Sequence, residues 1–312
     1  MTAPTPTAGV PGPAVDRAGS IGPTGHRAEP LIATGALVRL VLRLDRIRLP
    51  VWIGVLALLV AWSGQAIIDL YSEAELVAYA ATVESNAAIV AMSGPAQGLE
   101  TLGGRTVFEA WPLLPFVALF GLFTVTRHTR REEEAGRTEL LRATVVGPLA
   151  QPAAAFGVAV GSALVLGALC AGALAALGLP GAGSAAMGAS IASVVVVFAA
   201  VGLVTAQVTE HARTASGLGV AVVGATFVAR AVGDVGSGAL SWLSPFGWAQ
   251  AVRPFAGERP IVLVVPVAVS AALVAVAVSL AGRRDVGAGL VRPRPGPAQA
   301  ARSEEHTSEL QS

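Results

Sequence analysis

The sequence contains no lysine, since all 21 of its basic residues are arginine. A Walker A loop needs a lysine to reach the terminal phosphates of a nucleotide, so this chain does not hydrolyse ATP by that route. The single cysteine, Cys170, excludes an intrachain disulfide and a cysteine-based metal cluster. Because the four histidines are scattered along the chain, we predict no metal site. We also predict no cofactor and no enzymatic activity.

Charge of either sign is also scarce. Charged residues make up 13% of the chain and hydrophobic residues 54%, and the mean hydropathy is +0.66. Soluble proteins usually carry about a quarter of their residues as charged side chains. The composition is therefore that of a protein in a bilayer, and a net charge of +1 gives no indication of a nucleic-acid partner.

Six apolar stretches are long enough to cross the membrane, since a spanning helix needs about 20 mostly apolar residues. We predict an all-α polytopic membrane protein whose six-span domain occupies residues 49–294. Gly157 and Gly161 have the GxxxG spacing that permits close helix packing, although such matches arise easily among 36 glycines. The predicted spans are Leu49–Leu70, Val107–Thr126, Pro152–Leu179, Ala185–Val208, Ser216–Val235 and Ile261–Ala281.

The arginines predict the orientation of these spans. Arginine is concentrated before the first span, after the second and after the sixth, whereas the segment between the first two spans is mainly acidic. The positive-inside rule then places both termini in the cytoplasm, in a multi-pass protein of the plasma membrane. Residues 1–30 are rich in Pro, Gly, Thr and Ala and are predicted to be a disordered cytoplasmic tail. Short extracellular helices are expected between Tyr71 and Trp111.

Residues 31–48 predict an amphipathic helix in the membrane interface. Three arginines recur at helical spacing, and apolar residues occupy the opposite side. The alternative is a helix that merely extends the first span into the cytoplasm. The basic side carries Arg39, Arg43 and Arg46, and the apolar side carries Leu37, Val41, Leu44 and Ile47.

The segment that follows the second span, Thr126–Pro148, is the most charged part of the chain. Its acidic and basic residues have the i, i+4 and i, i+3 spacings that favour a short amphipathic helix, broken near Gly136. A compact charged helix at the cytoplasmic surface suits docking to a soluble motor subunit. The alternative is a solvated loop that obeys the positive-inside rule, against which three consecutive acids argue.

Two features near the fifth span admit two interpretations each. Arg230 and Asp234 are spaced i, i+4 and form either a buried pair along a transport pathway or a pair that extends outward to the interface. The following segment combines aromatic rings with helix-breaking residues and predicts either a re-entrant outer gate or an ordinary aromatic belt. The residues of the possible gate are Trp242, Pro245, Phe246, Gly247 and Trp248.

Two motifs resemble a known family. The run RHTRREEEAGRTELLRA, Arg127–Ala143, resembles the first inner loop of actinobacterial ABC-2 type permeases described as exporters of polyketide antibiotics. The run LSPFGWAQAVRPFAGERP, Leu243–Pro260, is similar to that family's Ser-Pro, Gly-Trp and Arg-Pro-Phe pattern, although an aromatic residue is expected at position 260. Together with the arginine-rich helix, the resemblance covers nearly all of Leu31–Arg294.

The resemblance implies a permease without its own ATP site, paired with a separate nucleotide-binding subunit. The charged helix would be the coupling helix that contacts this ATPase. The residues carried over to that role are Glu132, Glu133, Glu134, Gly136, Arg137 and Glu139.

The resemblance also implies that this chain is the first half of a longer protein, because members of the family commonly contain two six-span halves. Residues 295–312 are predicted to be a disordered tail. Within it, residues 302–312 read RSEEHTSELQS, which resembles the translation of a sequencing-library adapter. We therefore expect the sequence to be truncated and a second permease half to be missing.

The predicted function is ATP-driven export of a lipophilic small molecule, such as an antibiotic or drug. An ion-gradient-driven secondary transporter is the alternative, and it would call for acidic relays within the membrane. The spans offer only Asp234 and Glu109, both near span ends. A membrane scaffold without transport activity is a third class. A neighbouring gene for an ATPase with a Walker A loop would favour the exporter.

Overall fold

The computed structural model describes residues 30–84, 86–134, 147–209 and 211–282. Within these ranges the chain forms α-helices and 3-10 turns and no β-strand. The first seven helices are α1 Thr34–Leu44, α2 Arg48–Leu70, α3 Glu73–Glu84, α4 Ala87–Ser93, α5 Leu102–Ala110, α6 Leu114–His128 and α7 Arg130–Glu134. The remaining five are α8 Ala150–Ala176, α9 Gly181–Val208, α10 Ala212–Val235, α11 Pro245–Ala251 and α12 Val264–Ala281.

Six of the described helical segments are long and apolar enough to span a membrane, which confirms the predicted fold class. The second span starts at Leu102 rather than at Val107, because α5 continues through the 3-10 turn Trp111–Leu113 into α6. Proline is tolerated in this turn since Pro112 lies in its first positions, where a backbone N–H is not required. The spans are Arg48–Leu70, Leu102–His128, Ala150–Ala176, Gly181–Val208, Ala212–Val235 and Pro260–Ala281.

Successive spans run in opposite directions, so both ends of the described chain lie on one side. Pro30 and Leu31 line the same groove as Val278 and Ala281. We call this side the proximal end; it carries α1, α7 and the turn between α9 and α10. The opposite side, which carries α3, α4 and α11, is the distal end. The assignment of the proximal end to the cytoplasm remains a prediction.

Helix α9 occupies the centre of the bundle. In the most apolar stretch of α9, 72% of the residues are buried. In the corresponding stretches of the spans that contain α2, α10 and α12, 17–22% are buried. It packs against α6, α8, α10 and α12. The peripheral helices expose large apolar side chains such as Leu58, Trp62, Val228 and Val267, as expected of surfaces that face lipid.

Helices α8 and α9 form a tight antiparallel hairpin. Gly178 ends α8 with a left-handed backbone (φ 87°), and the Leu179 N–H donates to the Leu174 carbonyl at 3.2 Å. A β-carbon at Gly167 would lie 2.5 Å from the Gly188 carbonyl oxygen. Since lipid tails are as apolar as leucine, this close packing of small residues stabilises the pair. The glycines of the predicted GxxxG motif instead face open space, because a β-carbon at either position would have no neighbouring atom within 4 Å.

Helix α1 lies at the proximal end and packs on α8. Leu37 and Val41 are buried, Leu37 in a cluster with Ala150 and Ala154. A turn at residues 45–47 separates α1 from α2. Leu44 and Ile47, predicted on the apolar side that enters the acyl boundary, are exposed on the protein surface. The placement of α1 in a membrane interface remains a prediction.

The segment between the first two spans forms short helices at the distal end. Helices α3 and α4 meet at a bend of 101° and together are apolar enough to enter a membrane. Arg105 of α5 is buried there, with its guanidinium carbon 3.9 Å from the Tyr79 ring centroid, and it forms an ion pair with Glu109. This cation–π contact fixes α3 against the start of the second span.

Candidate functional site

The predicted coupling region begins with the five-residue helix α7. Glu132, Glu133 and Glu134 belong to α7, whereas the other predicted coupling residues lie outside the described residues; these are Gly136, Arg137 and Glu139. The Glu134 carboxylate accepts a hydrogen bond from the Ala212 backbone N–H at 2.6 Å. Ala212 is the first residue of α10, where a carboxylate is favoured by the helix dipole. Glu134 therefore attaches the end of α7 to the start of the fifth span.

The other end of α7 is attached to the fourth span. Arg130 is 1% exposed, and its Nε donates to the Thr209 carbonyl at 2.6 Å. Thr209 follows the last residue of α9, where unpaired carbonyls give the helix end a partial negative charge. The two contacts hold α7 against the turn that joins α9 to α10.

A buried polar cluster joins the remaining proximal elements. The His128 Nε2 lies 2.5 Å from Asp45 Oδ2, and both side chains are 2% exposed. Arg127 Nε is an ion-pair partner of Asp45 Oδ1 at 3.4 Å, although that oxygen accepts no hydrogen bond from the described residues. The Gln151 amide donates to the His128 carbonyl at 3.1 Å. These contacts connect the end of α6 to the α1–α2 turn and to the start of α8.

The residues of the possible outer gate come together at the distal end. Trp242 lies in the 3-10 turn Leu240–Leu243 and is 54% exposed, and its carbonyl accepts a hydrogen bond from Trp248 Nε1 at 2.7 Å. Pro245 opens α11, and Gly247 packs against the backbone of the same 3-10 turn. Phe246 is buried between two spans; its ring centroid lies 5.2 Å from that of Phe198 and 5.9 Å from that of Phe227.

The burial pattern differs from that of a simple aromatic belt. Of the three predicted rings, only that of Trp242 is exposed, while Phe246 and Trp248 anchor α11 in the bundle. The 3-10 turn and α11 form a re-entrant-like cap at the distal end. Its role as a gate remains a prediction.

Arg230 and Asp234 form a buried pair rather than one that extends to the surface. Their side chains are 1% and 5% exposed, and Arg230 Nη1 lies 3.3 Å from Asp234 Oδ2. Arg230 Nη2 donates to the carbonyls of Ala91 and Met92 at 2.8 and 3.1 Å, and Ser241 Oγ donates to Asp234 Oδ1 at 2.6 Å. The pair therefore binds α4, α10 and the 3-10 turn of the cap to one another.

The Arg-Pro-Phe motif forms an irregular turn beside this pair. Arg253 and Phe255 have left-handed backbones (φ 56° and 60°), which cost of order 1–3 kcal/mol each and persist only where packing requires them. The Phe255 ring lies against the backbones of Gly103 and Gly183, so it fills a gap between α5 and α9. The turn borders a distal cleft of about 430 Å³ that Asp234 also lines.

An apolar groove of about 390 Å³ opens at the proximal end between α8, α9 and α12. Its walls include Phe156, Leu203, Val274 and Val278. Gln207 also lines it; this side chain is buried, and its Oε1 accepts no hydrogen bond from the described residues. The groove suits an apolar molecule.

Sequence reasoning missed three of these residues. Arg130 and His128 belong to the run that resembles the permease family, but neither the residue types nor their spacing indicates the partners that they bind. The sequence does single out Asp45, because it is the one acidic residue among the arginines that precede the first span. A lone carboxylate beside an apolar segment usually needs a partner, but the sequence does not show that the partner is 83 residues away.

Comparison with known proteins finds a relative of about twice this length. No protein-family model matches the chain. The chain is similar to the multidrug efflux system permease protein Rv1217c of Mycobacterium tuberculosis (strain ATCC 25618 / H37Rv), with 40% identity over 280 residues. The match includes 88% of this chain and 51% of that protein, so the chain spans about half the length of the curated relative. The predicted similarity to an efflux permease is confirmed to that extent.

Proposed function

We propose that this chain is a membrane-spanning permease half of an ATP-driven ABC exporter that moves a lipophilic small molecule out of the cell. The attachment of α7 supports this most directly. Arg130 binds the end of α9 and Glu134 binds the start of α10, so a force on α7 acts on two spans at once. A separate motor subunit needs such a rigid connection to change the arrangement of the spans.

The motor in this proposal is a separate nucleotide-binding subunit, because the chain has no lysine for a Walker A loop. Its contact surface begins on α7 and continues into the charged segment that follows. The residues proposed to contact it are Glu132, Glu133, Glu134, Gly136, Arg137 and Glu139.

The coupling proposal requires the proximal end to face the cytoplasm of a plasma-membrane protein, and the arginine distribution supports that orientation. Arg39, Arg43 and Arg46 are exposed at the proximal end. At the distal end, Arg105 and Arg230 are buried and paired with acids, Arg253 is half-buried and Arg259 is exposed, so fewer of the described arginines are exposed there than at the proximal end. The positive-inside rule favours the cytoplasm for the side with more basic residues.

The apolar groove supports a lipophilic cargo. Its lining is almost entirely hydrocarbon, and Gln207 is the one polar side chain among the described lining residues. The relative is named as a permease of a multidrug efflux system. That name is consistent with a drug-like, lipophilic cargo. Because this chain matches about half of that relative, a second permease half is part of the proposed transport unit.

An ion-gradient-driven secondary transporter is the alternative. The observation in its favour is the buried Asp45–His128 pair, since coupled proton transport uses titratable groups inside the protein. The two mechanisms differ in their energy source, which can be tested directly.

The test measures uptake of a lipophilic fluorescent dye by inside-out vesicles that contain the chain, its second half and the ATPase. We expect uptake to require hydrolysable ATP and to continue in the presence of a protonophore. Arg130→Gln should abolish uptake and leave membrane insertion intact, while Arg46→Gln, at an exposed proximal position, should leave uptake unchanged. Uptake that a protonophore stops and ATP does not drive would support the secondary transporter instead.

A further inference from the structure

A second proximal pocket brings together three arginines from three different spans. It has a volume of about 480 Å³ and lies where α2, α6, α7 and α10 meet. Arg48, Arg127 and Arg213 line it together with the single carboxylate of Glu134. Two hydroxyl-bearing side chains complete its polar lining; these are Thr126 and Ser216.

Among the described residues that line this pocket, three are arginines and one, Glu134, is acidic. Glu134 already accepts the Ala212 N–H at 2.6 Å. Arg48 has an interaction partner of its own and Arg127 lies 3.4 Å from Asp45, whereas Arg213 forms no ion pair or hydrogen bond within the described ranges. The N-terminus of α10 adds a partial positive charge at the same place. The pocket thus favours an anion from outside the described chain.

The depth of the pocket matches that of lipid headgroups. Arg48 is the first residue of α2, Arg127 is the last but one of α6, and Arg213 is the second of α10. The three guanidinium groups therefore lie at the ends of spans, where hydrocarbon gives way to the polar interface.

Apolar surface continues from the arginines toward the bilayer centre. On α2, Val51 and Val55 follow Arg48 at i+3 and i+7 and are exposed. On α10, Val220 follows Arg213 at i+7 and is exposed as well. Such surfaces can contact acyl chains while the arginines bind the headgroup.

We propose that this pocket binds the phosphate group of an anionic phospholipid. Guanidinium groups match phosphate oxygens in charge and in geometry, and the Thr126 hydroxyl, which accepts a hydrogen bond from Ser216 Oγ at 3.3 Å, provides a further donor. Basic pockets between membrane helices commonly bind such headgroups. A zwitterionic choline lipid has the same phosphate but adds a cation that the arginines repel. The site does not depend on the proposed transport function, since it needs only these side chains and a bilayer.

The test measures lipid binding to the purified full chain by native mass spectrometry. The probes are phosphatidylglycerol, phosphatidylcholine and inorganic phosphate. We expect phosphatidylglycerol to bind more tightly than phosphatidylcholine, and Arg213→Gln to weaken it roughly fivefold. Arg213→Lys, which retains the charge, should bind nearly as well as the wild type. Arg39→Gln is the matched control, because Arg39 is an exposed proximal arginine outside the pocket.

Three results would overturn the proposal. Equal binding of the two lipids would exclude recognition of net anionic charge. An equal loss of affinity in Arg39→Gln and Arg213→Gln would indicate diffuse attraction to the whole proximal face. Displacement of the lipid by millimolar inorganic phosphate would identify a soluble phosphate as the ligand. Should Arg213→Gln prove unstable by thermal denaturation, Arg48→Gln provides the same comparison from another span.

Discussion

Replacing Arg230 by methionine should destabilise the protein far more than replacing a surface arginine. The guanidinium is buried, lies 3.3 Å from Asp234 and donates to the carbonyls of Ala91 and Met92. Methionine fills much of the same space but removes all of these contacts. The Asp234 carboxylate is then left buried without its cationic partner.

The magnitude follows from the remaining contacts. Loss of one partner of a buried ion pair typically costs about 3–5 kcal/mol. Since Ser241 still donates to Asp234 at 2.6 Å, we expect Arg230→Met to cost about 3 kcal/mol. Asp234→Asn should cost about 2 kcal/mol, because Arg230 retains its two carbonyl acceptors. The double variant should also cost only about 3 kcal/mol, which corresponds to a coupling energy of about 2 kcal/mol.

The assay is unfolding by SDS titration in mixed micelles, followed by circular dichroism, for the two single variants and the double variant. Arg39→Met is the matched control; this arginine is exposed and, among the residues that the structure describes, bonds only to the Gly35 carbonyl of its own helix, at 3.3 Å. Its free energy of unfolding should change by no more than about 0.5 kcal/mol. Strictly additive losses in the double variant would refute the pairing that the structure shows.

Three further predictions concern packing and the substrate groove. Gly167→Ala should lower the free energy of unfolding by about 1–3 kcal/mol, because its β-carbon would overlap α9, whereas Gly161→Ala, in open space, should be neutral or stabilising by up to about 1 kcal/mol; equal losses would contradict the tight hairpin. Phe246→Ala should cost about 3–5 kcal/mol, and Trp242→Ala no more than about 0.5 kcal/mol in the same titration; the reverse order would contradict the burial of the cap. Gln207→Leu, in the wall of the groove, should leave the free energy of unfolding unchanged or raise it by about 1 kcal/mol, because it removes a buried oxygen that accepts no hydrogen bond from the described residues; a loss of about 2 kcal/mol or more would contradict this.

The number and approximate bounds of the spans could be predicted from the sequence, but their arrangement could not. The span that ends in α12 is the most apolar of the six, with a mean hydropathy of 2.9, yet only 17% of the residues in its most apolar stretch are buried. Helix α9 has a lower mean hydropathy, 2.4, and 72% of the corresponding residues are buried. Hydropathy separates membrane from water. It does not separate lipid-facing from protein-facing helices, because lipid and protein interior are similarly apolar.

In the candidate sites too, contacts between residues close in sequence could be predicted, whereas contacts between distant residues could not. The i, i+4 spacing predicts the Arg230–Asp234 pair, and the charge pattern predicts a helix after the second span, of which the structure describes Arg130–Glu134. The spacing alone did not reveal that the pair is buried, since burial depends on α4 and on the cap. Likewise, the attachment of Arg130 to Thr209 joins residues 79 positions apart and leaves no local signal.

The central claim is that α7 transmits the action of a nucleotide-hydrolysing partner to the spans. The most direct measurement places a photo-crosslinking amino acid at position 133 of the full transporter in living cells and identifies the captured protein by mass spectrometry. The account predicts capture of a protein with a Walker A lysine, and no such capture from position 242 at the distal end. A crosslinker at position 133 that reacts only with reagents outside the cell, or that captures no ATPase, would contradict it.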